Sequence, residues 1–147
     1  MHSPGTTPIF VTGTDTGVGK TIIAAALASL LREHGFDAAP MKPIQTGAFI
    51  NGDNRKSTDL DFCLAVNNLD PDPGVYRWML PVALPRECSP HLAARAQHTA
   101  ISPETITNAL DKLCGIYDPV VIEGAGGLLV PLNSRHTMLD LIKRTGA

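Results

Sequence analysis

Apolar and polar positions fall in blocks along this chain, and the blocks set out strands followed by helices. The run at 8–12, PIFVT, is an apolar strand that ends in the Gly/Thr-rich segment GTDTGVG. An alanine-rich stretch follows at 20–34. Within it Ile23, Leu27, Leu30 and Leu31 recur at helical spacing and predict a buried stripe. Gly35 then supplies a natural C-terminal stop. A short strand at 38–41 comes next and delivers Lys42 and Pro43 at its end. Strand, helix, strand is a βαβ unit, so a parallel sheet is expected.

The pattern is less regular in the middle of the chain. Residues 43–57 read as a polar, Gly/Asn-rich loop, and Thr58-x-x-Asp61 resembles a capping box ahead of the apolar run at 60–66. A Pro/Asp/Asn turn region at 67–74 leads to a predicted strand at 75–80. Residues 81–90 read as irregular and 92–97 as helix. Ser102 followed by Pro103 starts the next helix, which runs to about Cys114. Residues 119–122 are continuously apolar, as suits a parallel strand covered on both faces, and end in Glu123-Gly124-Ala125-Gly126-Gly127. Thr137-x-x-Asp140 caps a final helix through Arg144, with Gly146 as its stop. The last residue is Ala147, where the alternation calls for another strand. The pattern predicts one α/β domain over 1–147 whose alternation breaks off in mid-stride.

Composition narrows the class without naming a function. A chain of 147 residues is long enough for one compact domain with a core. Hydrophobic content of 44% with 18% charged is ordinary for a globular protein. The net charge of −2, with no basic run, points away from nucleic acid. No stretch approaches the roughly 20 apolar residues of a membrane span, and the N-terminal MHSPGTTPIF lacks the regions of a signal peptide. Cys63, Cys88 and Cys114 form no C-x-x-C pair and read as buried, reduced thiols of a cytoplasmic protein.

The chemistry concentrates where the first strand meets the first helix. A Gly-rich loop ending in Gly19-Lys20-Thr21 at a helix start has the form of a phosphate-binding loop. Backbone N–H groups of Gly17, Val18, Gly19 and Lys20 are free to face a triphosphate, because the first helical turn has orphan donors. Lys20 would reach the β- and γ-phosphates and the Thr21 hydroxyl one position on Mg²⁺. The loop reads G-x-x-x-x-x-G-K-T from Gly13, one residue longer than the usual spacing.

Glu123 stands where a buried strand meets a glycine-rich turn, at the sheet edge where α/β proteins bind ligands, and is placed to complete magnesium coordination. Asp59 is a second candidate ligand or a solvated acid in a helix's first turn. Lys42, also at a strand end, is placed to hold a substrate anion or is a surface lysine. His91, in Ser89-Pro90-His91, reads as structural. His2, His34, His98 and His136 show no metal-ligand spacing, and no Ser/His/Asp nucleophile arrangement is visible.

Five segments together resemble the dethiobiotin synthetase family: FVTGTDTGVGKT at 10–21, MKPIQTG at 41–47, Ser57-Thr58-Asp59, CSPHLAA at 88–94 and VVIEGAGGLLVPL at 120–132. The longer phosphate loop is that family's variant. The resemblance implies a three-layer P-loop NTPase-type α/β fold with a mostly parallel sheet flanked by helices. It implies that 1–147 is the N-terminal part of a larger unit with its last strands and helices missing. It also implies an ATP- and magnesium-dependent ligase of biotin synthesis acting on diaminopelargonic acid and CO2. In that chemistry the diamine takes up CO2 as a carbamate, ATP activates it as a carbamic-phosphoric anhydride, and the second amine closes the ring.

Carried over by position, nucleotide contacts fall on Asp15, Thr16, Gly17, Val18, Gly19, Lys20, Thr21 and Glu123. Thr21, Asp59 and Glu123 would hold Mg²⁺. Lys42 would bind and polarise the carbamate, with Lys20 as the second catalytic cation, and Thr16, Thr46 and Gly126 would lie near the substrate. The family implies a cytoplasmic homodimer. Its members run on past residue 147, where the adenine pocket and a helix binding the substrate carboxylate are expected, so residues 1–147 alone are expected to lack synthetase activity.

Three rivals stand beside this reading. Deviant-loop ATPases carry a signature lysine where this chain has Asp15. Amidation domains of cobyric and cobyrinic acid synthases share the acidic glycine turn, but Lys42-Pro43 and Ser89-Pro90-His91 favour the dethiobiotin reading. A non-catalytic nucleotide-binding module would bind nucleotide without substrate-stimulated turnover.

Overall fold

A computed structural model describes residues 7–147. His2 and the start of the N-terminal stretch lie outside the described residues. Strand β1 (Ile9–Gly13) leads through the glycine loop into helix α1 (Lys20–Glu33), and strand β2 (Ala39–Met41) follows. Gly35 adopts φ 89°, the left-handed turn expected after the helix. After a middle region described below, helix α5 (Pro103–Cys114), strand β7 (Val120–Gly127) and helix α6 (Met138–Thr145) complete the described chain. The sheet is parallel, as expected, but β7 lies between β1 and β2.

Because β7 is central, its apolar run is covered on both faces. Val121 packs with Ala24, Ala25 and Ala28 of α1 and with Cys63. Val120 and Ile122 point the other way, into a cluster holding Ile106, Leu110 and Leu113 of α5 and Leu141 of α6. This is the alternation a pleated strand imposes, and it gives helices on both sides of a parallel sheet.

The stripe expected on α1 is corrected. Ile23 and Leu30 are 58% and 52% exposed, and the buried face is made by Ala24, Ala25 and Ala28, with Leu27 and Leu31 at its margin. Small side chains let the helix lie close to β7, and that contact outweighs the larger apolar residues one position away on the wheel.

The middle region departs furthest from expectation. Residues 43–57 are not a plain loop: they hold β3 (Ile44–Thr46) and an antiparallel hairpin of β4 (Phe49–Asn51) and β5 (Asn54–Lys56). Helix α2 (Thr58–Val66) is capped one residue earlier than expected. The Ser57 hydroxyl accepts from the Leu60 N–H at 3.1 Å, while Asp61 turns away to accept from Tyr76. The strand expected at 75–80 is instead helix α3 (Pro73–Met79). Asp72 caps it by accepting from Gly74 and Val75, and Pro73 sits at its first position; together these override the β-preference of Val75, Tyr76 and Trp78.

Strand β6 (Val82–Leu84) lies in the stretch expected to be irregular and pairs in parallel with β3. Three-residue strands carry too little alternation to be read locally. Helix α4 (Pro90–Ala96) begins two residues before the expected start. Ser102 precedes α5 but makes no side-chain cap; its hydroxyl donates to Glu104. On α6 the expected capping box is complete, with Thr137 and Asp140 bonded reciprocally, and Gly146 ends the helix at φ 71°. Of the cysteines, Cys63 is buried, while Cys88 and Cys114 are half-buried; all three are free thiols. Among the described residues no helix is long and apolar enough to cross a membrane.

Candidate active site

The carboxyl ends of β1, β7 and β2 lie side by side, and each delivers one part of the site. Val11 is level with Glu123, and Met41 with Ile122. Lys42, the residue after β2, therefore emerges beside Glu123. Its backbone N–H is held by the Met79 carbonyl at 2.8 Å, and its Nζ donates to Glu123 Oε1 at 2.8 Å. The same ammonium lies 2.6 Å from Asp59 Oδ2, in the first turn of α2. Thr21, in the first turn of α1, donates its hydroxyl to Glu123 Oε1 at 2.8 Å. Lys42 and Glu123 are only 4% and 3% exposed, so Lys42 is no surface lysine and Glu123 no ordinary strand-end acid.

The glycine loop wraps the neighbouring space. Gly17 and Gly19 have φ 74° and 102°, and Gly19 caps α1 with no side-chain bond to the helix. The first-turn N–H groups of α1 are thus left facing the loop, the arrangement that receives phosphate. Lys20 Nζ folds back onto the Asp15 carbonyl, and the Asp15 carboxylate accepts from the Thr16 N–H at 2.7 Å. Burial, and then the neighbouring Lys42 charge, lower the Lys20 pKa. A Cβ on Gly127 would lie 2.8 Å from the Thr14 carbonyl oxygen. The acidic turn needs a glycine there because the phosphate loop passes against its backbone.

These parts surround a cleft of about 600 Å³. Asp15, Thr16, Gly17, Gly19, Lys20, Thr21, Lys42, Thr46, Asp59, Glu123 and Gly126 all line it. Val18, expected to contribute its backbone N–H, is not part of this lining and is 53% exposed. Two carboxylates and a hydroxyl are hard oxygen donors of the kind magnesium takes, and an ammonium already bridges the carboxylates in a cation's place. Among the described residues no three His, Cys, Asp or Glu side chains form a metal cage. Two carboxylates and one hydroxyl fill only part of an octahedral magnesium shell, which leaves positions for phosphate oxygens. His91 is outside the cleft lining, and its Nδ1 is buried without a partner.

Sequence reasoning missed a hydrogen-bond chain behind the cleft. Gln45, on the wall, donates to the Thr46 carbonyl at 2.7 Å and accepts from the Ser57 hydroxyl at 2.6 Å. The Ser57 N–H donates to Tyr76 Oη at 3.2 Å, and that hydroxyl donates to Asp61 at 2.7 Å. Burial, then the bond to Asp61, raise the Tyr76 pKa. The chain ties β3 to the helix start that carries Asp59. A polar Gln between Ile44 and Thr46 was its only sequence signal. Cys88, Ser89 and Pro90 also line the cleft.

A parallel α/β domain with an open phosphate loop and acid and lysine at adjoining strand ends is a nucleotide-binding domain. Residues 7–147 match the family described as an AAA domain, and the chain belongs to it. Among curated relatives, the chain is similar to the ATP-dependent dethiobiotin synthetase BioD of Methanococcus vannielii, 36% identical over 135 residues, 92% of this chain and 59% of the relative. BioD 2 of Haemophilus ducreyi is 41% identical over 136 residues, covering 91% and 62%. The protein of the same name from Rhodopseudomonas palustris is 43% identical over 143 residues, covering 95% and 56%. The chain thus spans between 56% and 62% of the length of these relatives.

Proposed function

We propose that this chain is the phosphate-binding and carbamate-activating part of an ATP-dependent dethiobiotin synthetase. The observation that carries the reading is the meeting of Thr21, Lys42, Asp59 and Glu123 beside an open phosphate loop. The kinship with proteins named dethiobiotin synthetase supports it.

In this reading the loop from Asp15 to Thr21 binds the phosphates of ATP, with Lys20 leaving the Asp15 carbonyl for the β- and γ-phosphates. Thr21, Asp59 and Glu123 hold Mg²⁺, which supplies charge neutralisation on the phosphates. Diaminopelargonic acid takes up CO2 on one amine, giving a carbamate and a proton. Thr16, Thr46 and the Gly126 backbone position this substrate in the cleft. Lys42 holds the carbamate oxygens. A carbamate oxygen attacks the γ-phosphorus and ADP leaves, giving the mixed anhydride. The second amine attacks the carbamoyl carbon, the ureido C–N bond forms, and phosphate departs as the amine loses its proton. Such phosphoryl transfer asks mainly for positioning and charge stabilisation, which two buried lysines and an open helix start provide. The homodimer and cytoplasmic location expected of the family belong to the same proposal.

The test is dethiobiotin formation by the protein as its gene encodes it, supplied with MgATP, bicarbonate and diaminopelargonic acid. ADP and dethiobiotin released in equal amounts are expected. Nucleotide binding with no ADP release stimulated by the diamine would instead mark a binding module.

A further inference from the structure

The oxygens suited to a metal are already in use. Glu123 Oε1 takes the Lys42 ammonium at 2.8 Å, and Asp59 Oδ2 takes the same ammonium at 2.6 Å. Glu123 is 3% exposed and Lys42 4%, so the pair is held mainly by protein partners. The other bond to Glu123 Oε1 comes from Thr21, the third candidate ligand. One lysine thus bridges the carboxylates of the ligand set while the hydroxyl waits beside them.

A divalent cation on those oxygens and an ammonium within bonding distance of them exclude each other. Both are drawn to the same two carboxylates, and at such separations in a buried site their mutual repulsion is weakly screened. The lysine has a place to go. Its four-carbon stem is flexible, and the cleft beside it is lined by Thr46, Gly124 and Gly126. From this arrangement we infer that Lys42 and the metal exchange: the ammonium holds the carboxylates together before nucleotide arrives, and metal loading expels it into the substrate side of the cleft. The inference rests on the proposed function for what Lys42 meets there, but the exchange itself concerns only Lys42, Asp59, Glu123 and a divalent ion.

The exchange has an ordering consequence. With no metal bound, Lys42 is neutralised by two carboxylates and has little attraction for a second anion. Once the metal displaces it, a full positive charge stands in the cleft, and affinity for an anionic substrate rises. The two loading events are linked reciprocally.

The test is Mn²⁺ binding without nucleotide, read from the electron paramagnetic resonance of free manganese, in the protein as its gene encodes it. Replacing the ammonium by an isosteric apolar chain, Lys42→Met, removes the competitor. Affinity is expected to tighten at least tenfold, and adding Asp59→Asn to that variant should cancel the gain. Equal or weaker binding by Lys42→Met overturns the exchange, and so does a gain that survives Asp59→Asn. Should Lys42→Met not fold, the unaltered protein gives the answer through amine acetylation followed by mass spectrometry. The rate at Lys42 should rise severalfold in saturating MgCl2 over NaCl of equal ionic strength, and a rate indifferent to magnesium refutes the exchange. Dethiobiotin formation by the unaltered protein is read separately, so a failed exchange and a failed activity are distinct results.

Discussion

Lys42→Met should destabilise the fold by about 3–5 kcal/mol, the range for removing one partner of a buried ion pair. At 2.8 Å and an effective dielectric near 20, the attraction between Lys42 and Glu123 is about 6 kcal/mol before desolvation is counted. Glu123 is 3% exposed, so the variant strands its charge with one bond left, from the Thr21 hydroxyl. The Asp59 side chain is 32% exposed and rehydrates, so its share of the loss is at most about 1 kcal/mol. Against a typical domain stability of about 5–15 kcal/mol the loss is large. It corresponds to roughly a 6–20 °C fall in melting temperature. Equilibrium urea unfolding measures it directly. Magnesium should return part of it by mass action, about 2.7 kcal/mol at one hundred times its dissociation constant. A loss below about 1 kcal/mol, or one that magnesium leaves untouched, would refute the reading of this cluster as a cation site.

Lys20→Ala should abolish turnover and weaken nucleotide binding, checked by ADP release and calorimetry, because the loop loses its fixed charge. Gly127→Val should weaken nucleotide binding at least tenfold in the same titration, since the added Cβ falls 2.8 Å from the Thr14 carbonyl and must push the phosphate loop aside. Leu110→Ala, at a position 1% exposed under β7, should cost about 2–5 kcal/mol in urea unfolding with little change in nucleotide affinity per folded molecule. Burial first, then the Glu123 charge, push the Cys63 thiol from 9.0 up to about 12. The folded state therefore keeps a proton that the unfolded state gives up. Its contribution is full below pH 9.0 and is lost as pH rises toward about 12. Cys63→Ala should flatten that alkaline fall in stability, and an unaltered slope would count against it.

Much of the site was legible because phosphate chemistry needs a local pattern. Gly17, Gly19, Lys20 and Thr21 lie close together where the loop enters α1, so their spacing alone brings them together. Glu123 and Lys42 were legible for a related reason: Lys42 follows β2 and Glu123 ends the apolar run of β7, both toward the ligand edge of the sheet. Their contact was not legible, since β1 and β2 are consecutive in the chain yet parted by β7, which arrives some eighty residues after β2. The helix α3 was hidden because Val75, Tyr76 and Trp78 favour strand locally while Asp72 and Pro73 decide the outcome from its first turn. The alanine face of α1 was hidden because small residues announce no core until a strand lies against them.

The insertion of β7 between β1 and β2 is also what makes the site possible. Were β2 paired directly with β1, Lys42 would emerge beside the phosphate loop with no carboxylate between them. Two lysines, Lys20 and Lys42, would then face each other in a buried cleft, where burial first and then the Lys42 charge already lower the Lys20 pKa. With β7 in the middle, Glu123 stands between the lysine that follows β2 and the loop that follows β1, accepting from Lys42 on one side and Thr21 on the other. Its charge is what allows two buried cations to share one cleft, with the Asp59 carboxylate delivered to the second of them by the Ser57 cap and the Tyr76 hydroxyl behind it. Sheet order, not any single motif, is what brings Lys42, Glu123 and Thr21 together beside the glycine loop.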